Sequence, residues 1–165
     1  PTLNVRIKGF YKENTRIILD KELKIGLKSK LIKSLKKNLL IIFSSEKCNS
    51  IKHKKLNDIG VDINKMKLNN NLFSIDKVIK SLKTKGLKSI LVEGGEKIFS
   101  SFLNTKKVDI IYLYRSKSFI GKKSLNMFEE IEFNNSFQLY NQIKLEDDLL
   151  EVWINKSLKK NMSTA

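Results

Sequence analysis

The segment ILVEGGEKIF, residues 90–99, joins an apolar run to an amphipathic one through a glutamate and two adjacent glycines. The whole chain has only seven glycines, so two side by side indicate a specific requirement of the main chain. If the apolar run is a strand of an open α/β sheet, the turn lies beyond the carboxyl end of that strand, where such sheets bind ligands. We therefore interpret Gly94 and Gly95 as a candidate binding turn.

The physical chemistry of this turn suits a phosphate. Gly94 and Gly95 would let the main chain approach a ligand closely and adopt a positive φ. The first amides of the next helix have no partner within the helix and lie at the positive end of its dipole. Glu93 can accept hydrogen bonds from hydroxyl or amine groups. The alternative is that the glycines only make a tight connection, since neither GxGxxG nor GxxxxGK[ST] is present.

Strand and helix patterns alternate along the chain before a hairpin closes it. Buried strands are predicted at 16–20, 39–43, 61–63, 89–93 and 109–114, and helices at 30–37, 50–58, 75–85 and around 98–103. Ser29 and Ser74 are the predicted N-caps of two helices. Apolar residues alternate on both sides of residues 146–148, which predicts an antiparallel hairpin. The predicted class is α/β, a mostly parallel sheet flanked by helices with antiparallel strands at its C-terminal edge.

Composition predicts a folded protein of a reducing compartment. The 165 residues are 41% hydrophobic and 30% charged, which is ordinary for one globular domain. No apolar run approaches the roughly 20 residues that cross a bilayer. A single cysteine, Cys48, fits a cytoplasmic protein. The first residues resemble no signal peptide and include no initiator methionine, so we expect a piece of a longer protein.

The net charge of +16 admits two interpretations. A basic surface can bind nucleic acid by releasing counterions from phosphates. Lysine supplies nearly all of this charge and occurs along the whole chain, whereas arginine is the residue preferred for bidentate recognition of bases. We favour a lysine-rich composition without nucleic-acid binding and with no membrane partner. A small anionic ligand would need only a few of these charges.

Other candidate chemistry is sparse. One histidine, His53, and one cysteine cannot form a zinc cluster, so we predict no metal site. Ser44 and Ser45 have no histidine in the spacing of a hydrolase triad. Asp20 ends an apolar run and is more simply a cap than a ligand contact. Four aromatic residues are interpreted as core rather than as a stacking platform: Phe99, Phe102, Tyr112 and Tyr114.

Four segments taken together resemble one family. They are PTLNVR at 1–6, RIILDKELKI at 16–25, ILVEGGEKIFSSFL at 90–103 and VDIIYLYRSKSFIG at 108–121. They resemble the reductase domain of the bacterial riboflavin-biosynthesis bifunctional deaminase/reductase, which has a dihydrofolate-reductase-like fold. The resemblance covers nearly the whole chain in matching order. It implies one reductase domain over 1–165, a homodimer, and an upstream deaminase domain in the full-length protein.

The resemblance also implies an activity and a set of site residues. The activity is the NADPH-dependent reduction of 5-amino-6-(5-phosphoribosylamino)uracil to 5-amino-6-(5-phosphoribitylamino)uracil, by hydride delivery to C1 of the ring-opened ribose. Leu3, Arg6 and Glu93 would contact this phosphorylated pyrimidine, and the arginine fork suits its phosphate. The residues expected to hold the NADPH phosphates are Gly94, Gly95, Glu96, Lys97, Ile98, Phe99, Ser100 and Ser101. No residue is assigned as a catalytic acid or base.

Three departures from the family pattern qualify these expectations. Lys21 stands where the family has a small hydroxyl residue near the adenosine, and it could serve a 2′-phosphate as a point charge. In the loop after the YLYR strand, the family commonly has a second glycine where this chain has Gly121-Lys122, so this loop is left out of the predicted site. The family's first strand and helix, with an acidic pair before the proline that matches Pro1, have no counterpart. We therefore expect an incomplete domain that is inactive by itself. The alternatives are a related pyrimidinone or pterin reductase and a basic, non-catalytic nucleic-acid-binding module.

Overall fold

The computed structural model describes residues 3, 5, 7–9, 14–36, 38–117 and 133–158, without the side chains of residues 133 and 134. The chain forms two compact units, residues 1–85 and 86–165. The described helices include none that is long and apolar enough to cross a membrane. No cluster of three or more His, Cys, Asp or Glu side chains suited to a metal ion occurs among these residues.

The first unit is a parallel α/β layer. Its elements are β1 (Arg16–Leu19), α1 (Lys30–Lys33), β2 (Leu40–Ser45), α2 (Ser50–Asp58), β3 (Asp62–Met66) and α3 (Ile75–Thr84). The three strands pair in parallel in the order β1-β2-β3, with Ile17 opposite Ile41 and Ile41 opposite Asp62. β2 lies in the centre and is buried from Leu40 to Ser44, as its unbroken apolar run predicts.

The core of this unit combines strand and helix residues. Leu40 and Ile42 of β2 pack with Leu56 of α2, and Leu31 and Ile32 of α1 complete the same cluster. Full burial of an aliphatic side chain of this size contributes about 1.5–3 kcal/mol, so these residues hold the helices on the sheet. The cap prediction for Ser29 is confirmed, because its hydroxyl accepts the amide of Ile32.

A buried arginine links the start of β1 to the end of α1. The guanidinium of Arg16 is 1% exposed and donates to Ser34 Oγ at 2.6 Å and to the carbonyl of Asn38 at 2.7 Å. Burial lowers the pKa of this arginine from its ordinary value. Ser34 Oγ also donates back to the carbonyl of Lys30 at 2.8 Å. Such back-bonding competes with helix propagation, so α1 ends at Lys33 instead of the predicted residue 37.

The second unit contains an antiparallel sheet of three strands and two helices. Its elements are α4 (Glu96–Leu103), β4 (Ile110–Arg115), the short helix α5 (Phe133–Ser136), β5 (Phe137–Leu145) and β6 (Asp148–Asn155). The strands pair in the order β4-β6-β5, so the predicted terminal hairpin is confirmed. Leu145 pairs with Asp148 across a two-residue turn, and a register shift follows Leu139.

A buried carboxylate ties the three strands of this sheet together. Glu151 on β6 is 7% exposed and accepts Arg115 Nε of β4 and Trp153 Nε1, both at 2.9 Å. Burial alone would raise the pKa of Glu151, but hydrogen bonds from Trp153 and Arg115, the charge of Arg115 and a hydrogen bond from Gln142 of β5 lower it overall. The carboxylate stays ionised at neutral pH and links side chains of β4, β5 and β6.

Two local predictions are wrong. Residues 89–93 form no strand, and Leu91 is 76% exposed, since a β-strand needs a pairing neighbour and no described strand pairs with this segment. Tyr112 and Tyr114 are 53% and 64% exposed, because an apolar pattern does not tell how many faces of a strand are covered. The prediction of Ser74 as the N-cap of α3 is confirmed by position, although its side chain makes no capping hydrogen bond.

Candidate functional site

The glycine turn lies directly before α4 and leaves main-chain donors open. Gly95 is the N-cap of the helix, with φ −87° and ψ 176°, and its carbonyl accepts the amides of Ile98 and Phe99 at 3.0 and 3.2 Å. The amides of Glu96 and Lys97 precede these two and have no acceptor among the described residues. Open amides at a helix N-terminus are the groups that bind phosphate oxygens.

The backbone of this turn corrects one sequence prediction. Neither Gly94 nor Gly95 has a positive φ; the described glycines that do are Gly9, Gly60 and Gly86. The extended conformation of Gly95 is open to any residue type, so conformation does not explain the glycine pair. The space around each glycine has to explain it.

That space differs between the two glycines. A Cβ added to Gly94 would lie 3.0 Å from Ile98 Cβ and 3.1 Å from Ile98 Cγ2. A side chain at Gly94 would therefore press on the first turn of its own helix, and the spacing of four residues from Gly94 to Ile98 is the sequence signal of this contact. A Cβ added to Gly95 would meet nothing within 4 Å, so this position opens onto free space beside the helix N-terminus.

The charged side chains around the turn are two carboxylates, Glu93 and Glu96, and one cation, Lys97. Glu93 is exposed and makes no hydrogen bond or ion pair within the described part of the chain. Glu96 lies in the first turn of α4. A carboxylate there interacts favourably with the helix dipole but repels a bound phosphate. Lys97 is exposed and offers a compensating cation. Attraction for an anion at this turn therefore rests on the amides and Lys97.

The remaining residues of the predicted cofactor segment have different surroundings. Ser100 is 7% exposed, and its Oγ has no hydrogen-bond partner. A buried hydroxyl without a partner is costly, so this atom is a candidate contact for a bound group. Ser101 Oγ instead donates to the carbonyl of Lys97 at 2.6 Å and is committed to the helix. Ile98 and Phe99 are half-buried and contribute packing.

The predicted site residues of the first unit are Leu3 and Lys21. Leu3 has φ 52°, and its carbonyl accepts Asn14 Nδ2 at 2.7 Å while its side chain packs against the core. Lys21 is half-buried with its Nζ 4.0 Å from Glu22 Oε1. Arg6 lies outside the described residues, as does Gly121. The structure thus brings residues 93–101 together as one turn and helix, and it places Leu3 and Lys21 in the other unit.

The loop after β1 is closed on itself. The two carboxylate oxygens of Asp20 accept the amides of Lys24 and Ile25, each at 2.8 Å. Leu23, between Asp20 and Lys24, is fully buried with φ 55°. A leucine adopts this conformation only when its surroundings enforce it. Asp20 caps no helix, since the first helix begins at Lys30, but its oxygens are used within the loop and not left for a ligand.

A cofactor with phosphate groups fits the turn before α4. The observations that support the fit are the open space at Gly95, the free amides of Glu96 and Lys97, and the buried Oγ of Ser100. All of these features lie within residues 95–100. The donor set is that of an anion-binding helix N-terminus with a hydroxyl behind it.

Comparison with solved structures identifies the fold. A Thermotoga maritima protein described as a diaminohydroxyphosphoribosylaminopyrimidine deaminase/5-amino-6-(5-phosphoribosylamino)uracil reductase gives a TM-score of 0.69 at 24% identity, over 94% of this chain and 41% of that one. Acinetobacter baumannii RibD gives 0.69 at 20% identity, over 86% and 37%. The riboflavin biosynthesis reductase Rib7 of Saccharomyces cerevisiae gives 0.66 at 18% identity, over 88% and 73%. The predicted α/β, dihydrofolate-reductase-like class is confirmed.

Comparison of sequences identifies the family. The riboflavin biosynthesis protein RibD of Aquifex aeolicus (strain VF5) is 30% identical over 122 residues, which are 74% of this chain and 32% of the relative. The chain thus spans about a third of the length of that curated relative. The sequence model of the RibD C-terminal domain matches residues 1–155. The chain therefore belongs to the RibD C-terminal domain family of riboflavin-biosynthesis reductases.

Proposed function

We propose that the chain is a reductase domain that uses NADPH to reduce 5-amino-6-(5-phosphoribosylamino)uracil to 5-amino-6-(5-phosphoribitylamino)uracil. Family membership supports an oxidoreductase of riboflavin biosynthesis. The description of the Thermotoga maritima relative names this uracil derivative as the compound that it reduces. The observation that carries the proposal is the open glycine turn before α4, because a dinucleotide cofactor needs such a phosphate site.

When bound, NADPH supplies the hydride for C1 of the ring-opened ribose. The open amides of Glu96 and Lys97 would donate to its phosphate oxygens, and the missing side chain of Gly95 would allow these oxygens to approach the main chain. Lys97 contributes a positive charge at the same place. The buried Oγ of Ser100, which has no partner among the described residues, would gain one from the bound cofactor. The protein's contribution is to position the reacting carbons, since the cofactor carries the chemistry.

The substrate side of the proposal rests on three residues. Glu93 is exposed next to the turn and accepts hydrogen bonds from hydroxyl or amine groups of the pyrimidine or its ribityl chain. Arg6 binds the sugar phosphate through its planar fork of donors. Leu3 holds the first segment against the core, where its carbonyl is already bonded to Asn14, so its role is apolar contact.

Lys21 belongs to the cofactor side of the proposal and serves the 2′-phosphate of NADPH as a point charge.

The test is turnover by the natural full-length protein that contains this chain. NADPH absorbance should fall when 5-amino-6-(5-phosphoribosylamino)uracil is added. Arg6→Ala should raise the KM for this substrate about ten- to a hundredfold, since a hydrogen bond to a charged group is worth about 1.5–3 kcal/mol. Lys8→Ala removes an exposed cation two residues away in the sequence and is the matched control. Faster oxidation of NADPH with the diamino-pyrimidinone precursor or with a pterin would overturn the substrate assignment.

A further inference from the structure

The net positive charge of this chain is concentrated in its first unit, although lysines occur in both units. Residues 1–85 contain 21 lysines and arginines against 7 acidic residues, whereas residues 86–165 contain 12 against 10. Nearly all of the net charge of +16 therefore belongs to the unit that lacks the glycine turn. The reduction of a small phosphorylated substrate needs only a few cations, so most of these charges have no role in the proposed reaction.

Part of this charge surrounds an apolar groove on the helical side of the unit. The α1–α2 groove has a volume of about 640 Å³ and is lined by Leu27, Ile32, Lys33, Leu35, Lys36, Lys55, Asp58 and Ile59. A volume of this size is within the usual range for clefts that bind ligands. Its apolar lining is accessible, since Leu27 is 42% and Ile59 is 47% exposed.

The rim of the α1–α2 groove carries uncompensated positive charge. Lys33, Lys36 and Lys55 are all exposed, and none of them makes an ion pair within the described residues. Among the described residues of the lining, Asp58 is the single acid. Three like charges around one cleft raise the free energy of the unliganded surface and attract an anionic partner.

The chemistry of the lining selects among anionic partners. A second copy of the chain would bring two cationic rims together, which is unfavourable. Nucleic acid is recognised through arginine and stacking aromatics, and the lining contains neither. We propose that the α1–α2 groove binds an acidic amphipathic helix of a partner protein, with the apolar stripe of that helix on Leu27, Leu35 and Ile59 and its carboxylates on the three lysines.

The probe is a fluorescein-labelled synthetic helix with leucine at positions i, i+3, i+4 and i+7 and glutamate elsewhere, titrated with the full chain and followed by fluorescence anisotropy. Substitution of Lys33, Lys36 and Lys55 together by glutamine should weaken binding about tenfold at low salt. The loss should disappear at about 1 M salt, where the Debye length is about 3 Å. Asp58→Asn should instead strengthen binding, because it removes the only negative charge of the rim.

Matched variants separate this site from general charge attraction. Lys77, Lys80 and Lys83 are exposed on α3 outside the groove, and their joint replacement by glutamine removes the same charge. This control should leave binding unchanged. Ile59→Gln should weaken binding at every salt concentration, whereas Leu72→Gln, at a residue 60% exposed outside the groove, should not.

Three outcomes would overturn the proposal. Equal loss from the two triple-lysine variants would show that only net charge matters. Tighter binding of polyuridylate than of the peptide, with loss in the groove variant, would assign the surface to nucleic acid. Preferential binding to vesicles of anionic phospholipid would assign it to a membrane surface. Circular dichroism of each variant must match the parent chain, and a variant that fails this criterion is replaced by its single substitutions.

Discussion

Asp20 and Glu93 each end an apolar run, yet the structure gives their carboxylates opposite uses. Asp20 accepts the amides of Lys24 and Ile25, both at 2.8 Å, and so folds the loop after β1 around itself. Glu93 is exposed beside the glycine turn and has no partner among the described residues. One acid stabilises the protein that contains it, and the other is available to a ligand.

The main chain beside each acid shows the same difference. After β1, the amides that could bind an anion are already bonded to Asp20. Before α4, the amides of Glu96 and Lys97 stay open, and Gly95 leaves space in front of them. An apolar run that ends in an acid is therefore insufficient evidence for a binding site. The state of the neighbouring amides distinguishes a structural loop from a candidate site.

The largest effect is expected from Asp20→Ala. Loss of two short hydrogen bonds to a carboxylate should lower the free energy of unfolding by about 3 kcal/mol, measured by urea denaturation of the full chain. Asp20→Asn keeps one acceptor oxygen and should lose about half as much. Glu22→Ala removes only exposed ion pairs and should change stability by less than about 0.5 kcal/mol. Equal stabilities for the Asp20 and Glu22 variants would refute the structural role of Asp20.

Gly94→Ala tests whether the first glycine serves packing. Its new Cβ would press on Ile98 Cβ and Cγ2, and overpacking of this kind costs about 1–3 kcal/mol. We expect a loss of about 2 kcal/mol in the same denaturation experiment. Because part of the clash involves Ile98 Cγ2, combining the change with Ile98→Ala should cost less than the sum of the two single changes. Strict additivity would contradict the packing explanation.

Gly95→Val tests whether the second glycine serves a ligand. A Cβ at this position meets nothing within 4 Å, but valine is a poorer N-cap residue than glycine, so stability should fall by about 1 kcal/mol or less. The same side chain occupies the space proposed for a phosphate, and NADPH binding should weaken at least about tenfold, or 1.4 kcal/mol. Isothermal titration of the full-length protein measures this directly. Gly26→Val, where a Cβ also meets nothing within 4 Å, is the matched control and should leave binding intact.

The sequence predicted the positions of strands and helices better than it predicted strand pairing and side-chain packing. The alternation of apolar runs with helix signals located β1, β2, β3, β4 and the terminal hairpin, because each pattern is set by residues close in sequence. Residues 89–93 have the same composition as a strand but lack a described pairing partner, which no local pattern reveals. Sequence likewise marked Gly94 and Gly95 as a unit, whereas only the position of Ile98 separates their roles.

Glu151 provides a third carboxylate for this comparison. Like that of Asp20, it accepts hydrogen bonds from the protein itself, but its donors are side chains and not main-chain amides. Its pKa is lowered in the folded protein, so its contribution to stability is fully present above the pKa of an unfolded glutamate, about 4.3, and is lost as pH falls through the folded value. Glu151→Gln should cost about 1 kcal/mol at neutral pH. The difference from the parent chain should shrink on acidification below about pH 4. A difference that does not vary with pH would show that ionisation of Glu151 is irrelevant to the sheet.

Glu93→Gln is expected to have the smallest effect on stability and so decides the comparison with Asp20. An exposed carboxylate without a described partner contributes nothing that glutamine cannot replace, and unfolding should change by less than about 0.5 kcal/mol. The substitution keeps the shape of the side chain but removes its charge and one acceptor oxygen. In the full-length protein it should therefore raise the KM for the pyrimidine severalfold while NADPH binding stays unchanged. If unfolding shows a loss as large as that of Asp20→Ala, Glu93 also belongs to the protein's own framework, and the open amides of α4 would be the only part of the turn left to bind a ligand.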